Sequence, residues 1–194
     1  KTLRLINGVA ATMSKRAAAK LAGEKGIIRI DEDVVVTTMA KPGGSGPTQP
    51  AQSTPWGITR INAPSAWIGT TGAMVKVGVI DTGIDLSHPD LAGNIKGGYN
   101  AINAAKSAND DNGHGTHVAG TIAASNNSIG VVGVAHQANL YAIKVLDRTG
   151  SGYLSDIIEG LDWAIGNGMQ VVNMSLGTSS NVQSFHDAVM RVRA

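Results

Sequence analysis

The sequence predicts an α/β protein: a parallel sheet with helices on both faces, preceded by part of a small α+β unit. Three observations carry that expectation. From Val75 onward, short apolar runs rich in β-branched residues alternate with segments of helical spacing, the pattern of a parallel sheet covered on both sides. Only 15% of the 194 residues are charged, against a usual share of roughly 25%, so the composition is that of a packed chain and not a disordered one. The 25 glycines are roughly double the ordinary share, which suits tight loops between many short elements.

Taken in order, residues 1–6 and 9–13 read as two strands about the turn pair Asn7-Gly8. Ser14 can cap a helix over residues 15–22, with Ala17, Ala18, Leu21 and Ala22 toward its apolar side and Gly23 at its end. Residues 27–30 read as a further strand, closed by Asp31-Glu32-Asp33. Residues 1–39 therefore make a first, β-β-α-β unit. Residues 40–50, rich in Gly and Pro, read as a linker, and 51–194 as a second domain. There, residues 75–80 are a strand, 114–124 a helix and 140–145 a strand. Leu154, Ile157, Ile158, Leu161, Ala164 and Ile165 follow helical spacing, and Gly166 and Gly168 can end that helix. Residues 171–174 form a strand and 182–192 a last helix with Phe185, Val189 and Val192 inward.

Several classes of function are disfavoured by composition. A net charge of +2 is too small to argue for nucleic acid or an anionic membrane as partner. No apolar run is long enough to span a bilayer as a helix. Without cysteine, neither a disulfide nor a thiolate metal site can form.

The chemistry concentrates in Asp111-Asn112-Gly113-His114-Gly115-Thr116-His117-Val118-Ala119-Gly120. A polar turn there gives way to a helix that Asp111 or Asn112 can cap, with His114 in its first turn. A histidine so placed can take a proton as a general base. Asp81 ends the strand before it, at the strand end where α/β sheets carry their sites. Such a carboxylate can fix the tautomer of His114 and stabilise its imidazolium. Taken alone, a strand-end Asp is as often a cap or turn residue, and Asp81-Thr82-Gly83 also matches the start of an aspartic-protease site. His114 and His117, three apart on one helix, can share a metal ion, but no Glu lies between them and no cysteine is available. His117 reads instead as a packed, hydrogen-bonded residue, and His88, His136 and His186 as structural or solvent-facing.

Together these segments resemble the subtilisin-like serine proteases, whose pattern is a strand ending D-[ST]-G, then H-G-T-H-V-A-G, then S-L-G. Here they read Asp81-Thr82-Gly83, His114 to Gly120 and Ser175-Leu176-Gly177, and the resemblance extends over the whole chain. It implies a serine endopeptidase with an Asp-His-Ser triad, of which Asp81 and His114 are two members. The family's nucleophile lies in a G-T-S-M-A segment that does not occur in residues 1–194, and its oxyanion-hole asparagine is also expected later. Gly177-Thr178-Ser179 lacks the Met-Ala that would follow, so Ser179 is not read as the nucleophile. The expectation is a precursor truncated at both ends and inactive as it stands.

The resemblance further implies that residues 1–39 are the back half of an inhibitory prodomain, whose tail lies in the active site and is cut at Met39–Ala40. Met39 would then take the primary specificity position and Val36 the fourth. A second candidate cut is Pro50–Ala51. Gly150-Ser151-Gly152 and Ser175-Leu176-Gly177 would be the two edges between which an extended peptide adds as a strand, with Leu154 and Ile157 bordering the fourth subsite. Calcium would be held by the side chains of Gln52, Asp90 and Asn127 and the carbonyls of Ser125, Ile129 and Val131. The implied partners are peptide or protein substrates and the chain's own prodomain, and the implied setting is a secreted enzyme, monomeric when complete. A rival from another class is a non-catalytic protein that binds peptide along the same edges.

Overall fold

A computed structural model describes residues 1–38 and 49–192. The expected cut at Met39–Ala40 lies outside the described residues. The first unit holds β1 (Thr2–Leu3), β2 (Gly8–Val9), α1 (Lys15–Leu21) and β3 (Val35–Thr38). Two short helices, α2 (Trp56–Arg60) and α3 (Ala63–Ala66), lead into β4 (Lys76–Asp81), β5 (Ile95–Asn100), α4 (His114–Ala123) and β6 (Asn139–Lys144). The chain continues through β7 (Ser151–Tyr153), α5 (Leu154–Gly166), β8 (Val171–Asn173), β9 (Leu176–Gly177) and α6 (Gln183–Val192).

Four parallel strands in the order β5-β6-β4-β8 form the central sheet, as the alternation of the sequence predicts. Successive side chains leave a strand on opposite faces. Val77 and Val79 of β4 and Leu140 and Ala142 of β6 therefore pack with Ala119 and Ala123 of α4. Ile80, Ile143 and Val145 point the other way, into a cluster with Leu154, Ile157, Ile158 and Leu161 of α5 and Ala188 of α6. Asp81 continues the parity of Val77 and Val79, which aims it at α4. β5 was not legible in the sequence, because Gly97 and Gly98 interrupt its alternation.

The first unit departs from the expected strands. The β1–β2 ladder is only two residues long, and Arg4–Ile6 is a 3-10 turn ending at Asn7, whose φ of 52° is left-handed. An extended run would have split Leu3, Leu5 and Ile6 between two faces. The turn brings all three to the cluster beneath α5 and α6. Ser14 caps α1 as expected, accepting from the Ala17 N–H at 3.2 Å, but no residue of that helix is buried. Residues 27–30 are not a strand: they find no ladder partner among the described residues, and Ile28 is 98% exposed. The acidic run after them has a clear role. Asp31 accepts from the Ser184 N–H at 3.1 Å, and Asp33 from the Ser155 N–H at 2.9 Å and its hydroxyl at 2.7 Å. These carboxylates satisfy unpaired N–H groups at the N-termini of α6 and α5. Lys1 adds an ion pair to Asp156 and Glu159 of α5.

Candidate active site

Asp81 and His114 meet where β4 ends and α4 begins. His114 Nδ1 lies 2.7 Å from Asp81 Oδ1, and both residues are buried. An ionised carboxylate can only accept, so Nδ1 carries the hydrogen and Nε2 is left as the basic nitrogen. Asp81 Oδ1 also accepts from the Thr82 N–H at 2.7 Å, while Oδ2 is buried without a hydrogen-bond partner among the described residues. Burial lifts the Asp81 carboxyl above its ordinary range, against the opposing pull of the bonds from His114 and the Thr82 N–H.

The helix start is built by a residue that sequence reasoning passed over. Gly113, with φ of 103°, occupies the cap position and offers no side chain. Asp110 does the capping. Its Oδ1 accepts from the N–H groups of Asn112 and Gly113 at 2.9 and 3.0 Å, and its Oδ2 from the N–H and hydroxyl of Thr116 at 3.0 and 2.6 Å. Thr82 joins this knot to β4: its hydroxyl donates to Asp110 Oδ1 and accepts from the Gly115 N–H, both at 2.9 Å. Desolvation works to raise the Asp110 pKa, but the bonds from Gly113, Thr116 and Asn112 outweigh it and hold the carboxyl below its usual range. Of the two expected caps, Asn112 Oδ1 accepts from the His114 N–H at 3.2 Å, whereas Asp111 pairs with Lys144 at 2.7 Å. The only sequence signal for Asp110 was its place four residues before the histidine.

Among the described residues, no histidine pair belongs to a metal-binding cluster. His117 is exposed, and its ring has no hydrogen bond among the described residues, in place of the packed role expected. It lies one turn along α4 from a residue whose ring is turned inward. His136 is buried against Trp67, edge to face with ring centroids 5.0 Å apart, and burial holds it toward the neutral form.

Beside the Asp–His pair, β3 lies between β7 and β9 as the middle of a three-stranded antiparallel sheet. Val36 pairs with Gly152, Thr37 with Ser151 and Gly177, and Thr38 with Leu176. Thr38 donates its N–H to the Gly150 carbonyl at 2.8 Å, and Leu154 donates to the Val34 carbonyl at 3.0 Å. Val36 is fully buried in a cluster shared with Leu146, Leu154 and Ile157. Ser175 lies just before β9, outside the ladder, its hydroxyl accepting from Asn173 Nδ2 at 3.0 Å. The two glycines of β7's segment serve different ends. A Cβ on Gly150 would come within 2.8 Å of Thr38 Oγ1, so this glycine faces the inserted strand. One on Gly152 would meet the Val145 carbonyl at 2.2 Å, which ties that glycine to packing on the end of β6.

The loop expected to hold calcium folds round Asp90, which is 2% exposed and has no cationic partner among the described residues. Its oxygens accept from Asn127 Nδ2 at 2.7 Å and the Val131 N–H at 2.9 Å. Gln52 Oε1 accepts from the Asn127 N–H, and Asn127 Oδ1 from the Ile129 N–H at 2.7 Å. Ser125 donates to the Asp90 carbonyl at 2.9 Å. The six expected residues are thus neighbours, but the amide nitrogen of Asn127, not its oxygen, faces Asp90. Among the described residues, no three His, Cys, Asp or Glu side chains cluster, so any cation here would rest on one carboxylate with amide and carbonyl oxygens.

A family model described as the subtilase family matches residues 72–194, which hold both Asp81 and His114. The chain belongs to the subtilase family. It is 55% identical over 161 residues to the alkaline protease of Alkalihalobacillus alcalophilus, which covers 82% of this chain and 39% of that protein. It is 48% identical over 179 residues to subtilisin E of Bacillus subtilis (strain 168), covering 91% of this chain and 44% of the relative. To subtilisin Savinase of Lederbergia lenta it is 58% identical over 140 residues, 72% of this chain and 51% of the other. The chain thus spans roughly two-fifths to one-half of the length of these subtilases.

Proposed function

We propose that these 194 residues are part of the precursor of a subtilisin-like serine endopeptidase, with Asp81 and His114 as two members of its triad. The observation that carries the reading is the buried Nδ1–Asp81 hydrogen bond beside a cleft that accepts an extended strand. His114 Nε2 takes the proton from a serine hydroxyl as that oxygen attacks the peptide carbonyl. Asp81 keeps the ring in the required tautomer and stabilises the imidazolium. His114 then returns the proton to the departing amine, leaving an acyl-enzyme that water hydrolyses by the same proton transfers in reverse. We assign the serine and the oxyanion-hole asparagine to sequence beyond Ala194.

In this reading residues 1–39 are the C-terminal part of an inhibitory prodomain. The seating of Val35–Thr38 between β7 and β9 supports it, with Val36 filling the fourth subsite against Leu154 and Ile157. The same edges would take peptide or protein substrates by strand addition. Cleavage would follow Met39. We place the mature enzyme outside the cell, as a monomer; no helix among the described residues is long and apolar enough to cross a membrane.

The test is on the full-length precursor. A fluorophosphonate should label one serine outside residues 1–194, and His114→Ala should lower kcat/KM by about a thousandfold or more. Labelling of no serine, or activity that survives His114→Ala, would favour the non-catalytic peptide-binding protein instead.

Calcium binding is part of the same proposal. A buried carboxylate with no cationic partner among the described residues, held now by the Asn127 amide and the Val131 N–H, would take a hard cation once the Asn127 amide turns its oxygen inward. Bound there, the ion would hold Gln52 and the 125–131 loop together and take no part in the proton transfers. A chelator is expected to lower the thermal midpoint by about 5 °C or more, a loss absent in Asp90→Ala. Equal midpoints with and without chelator in the unmodified chain would remove calcium from the account.

A further inference from the structure

We infer that Lys144 is a positioning residue for the Asp81–His114 pair, a role that rests on the catalytic reading above. Lys144 is 5% exposed and stands between Ile143 and Val145, both fully buried. In the parallel ladder it is the register partner of Asp81, so both side chains leave the sheet on the face that α4 covers. The ammonium nevertheless makes no ion pair with Asp81. It donates to the Thr82 carbonyl at 2.6 Å, the Leu146 carbonyl at 2.8 Å and Asp111 Oδ1 at 2.7 Å.

Three acceptors match the three hydrogens of an ammonium. They also come from three different segments: the residue after Asp81, the loop after β6, and the turn that carries His114 into α4. One side chain therefore fixes the strand end bearing the carboxylate against the turn bearing the imidazole. The Asp81 carbonyl is itself held by the N–H groups of Val145 and Leu146, at 2.9 and 3.1 Å, which ties the end of β4 to the loop after β6.

Burying an ammonium costs several kcal/mol, and an uncharged side chain of the same length would fill the space without that cost. The charge has a use. Asp81 sits in a site whose burial opposes its ionised form, and the ammonium's bonds to the Thr82 carbonyl and Asp111 hold the carboxylate's strand end and the imidazole's turn in place. The ammonium touches Asp111, and its charge reaches Asp147 on the loop after β6; Asp81, bonded to His114, is its register partner on the same face, and Asp110 is joined to it through Thr82.

The experiment compares Lys144→Met and Asp111→Asn in the full-length enzyme at low ionic strength, where partly exposed charges are least screened. Lys144→Met should lower kcat about tenfold with KM changed less than about twofold. It should also move the acid limb of the pH–kcat profile to higher pH, because loss of a cation favours the protonated imidazole. Asp111→Asn should move that limb to lower pH. A merely structural lysine would not give opposite displacements. The Asp111 side chain is 54% exposed, so this second variant decides the matter even if Lys144→Met fails to fold. Acid limbs unchanged from wild type would overturn the inference. Failure of the catalytic reading is separately visible, as activity that survives His114→Ala.

Discussion

Gly115→Ala is expected to separate His114 from Asp81 and to destabilise the chain by about 3 kcal/mol or more. A Cβ at residue 115 would lie 2.1 Å from the Gly83 carbonyl oxygen and 3.2 Å from Cβ and Oδ1 of Asp81. The obstacle is backbone, so no rotamer change relieves it. Helix propensity alone would make the same substitution favourable by about 1 kcal/mol, and the overlap decides the sign. Lifting α4 off β4 would also stretch the Gly115 N–H bond to Thr82 Oγ1, now 2.9 Å. Thermal unfolding and the low-field proton resonance of the His114 Nδ1–H check both parts. A variant with an unchanged midpoint and an intact resonance would show that α4 and β4 have room that this packing denies them.

Asp110→Asn should destabilise the chain by about 2 kcal/mol at neutral pH, since an amide cannot replace all the bonds to a charged acceptor. The pH dependence has a definite sign. The folded carboxyl is held below its ordinary value, so its contribution is complete above the unfolded value of about 4 and lost as pH falls through the lower folded one. Wild type and variant should therefore differ at pH 7 and converge in strong acid. Urea midpoints at several pH values measure this. A gap that stays constant from neutral to strongly acid pH would mean that the charge of Asp110 is not what matters.

The sheet and its helices were legible because buried parallel strands and amphipathic helices impose periodicity. Thus β4, β6, β8, α4, α5 and α6 stand within a residue or two of their predicted bounds. Where packing competed with the ladder, the pattern misled: residues 1–6 coil so that three apolar side chains share one cluster, and residues 27–30, with three isoleucines, have no ladder partner among the described residues. The Asp–His contact was legible because the motifs mark its partners. The supports were not. Asp110 and Thr82 bind through a turn with no period, and the charge of Asp111 goes to a lysine 33 positions away. Lys144 did leave a trace, as the one cation inside the run from Leu140 to Leu146.

The strand filling the cleft is joined to the cleft by the chain itself. A segment joined to its site by a short linker is held there at an effective concentration in the millimolar range. On the proposed reading a free peptide would have to compete with that, however well its side chains fit, and occupancy of these edges would not change with dilution while the chain is intact. Once the tether is cut, the same contacts become a bimolecular equilibrium. Dilution of the cleaved protein, rather than any rearrangement of Asp81 or His114, would then open the cleft.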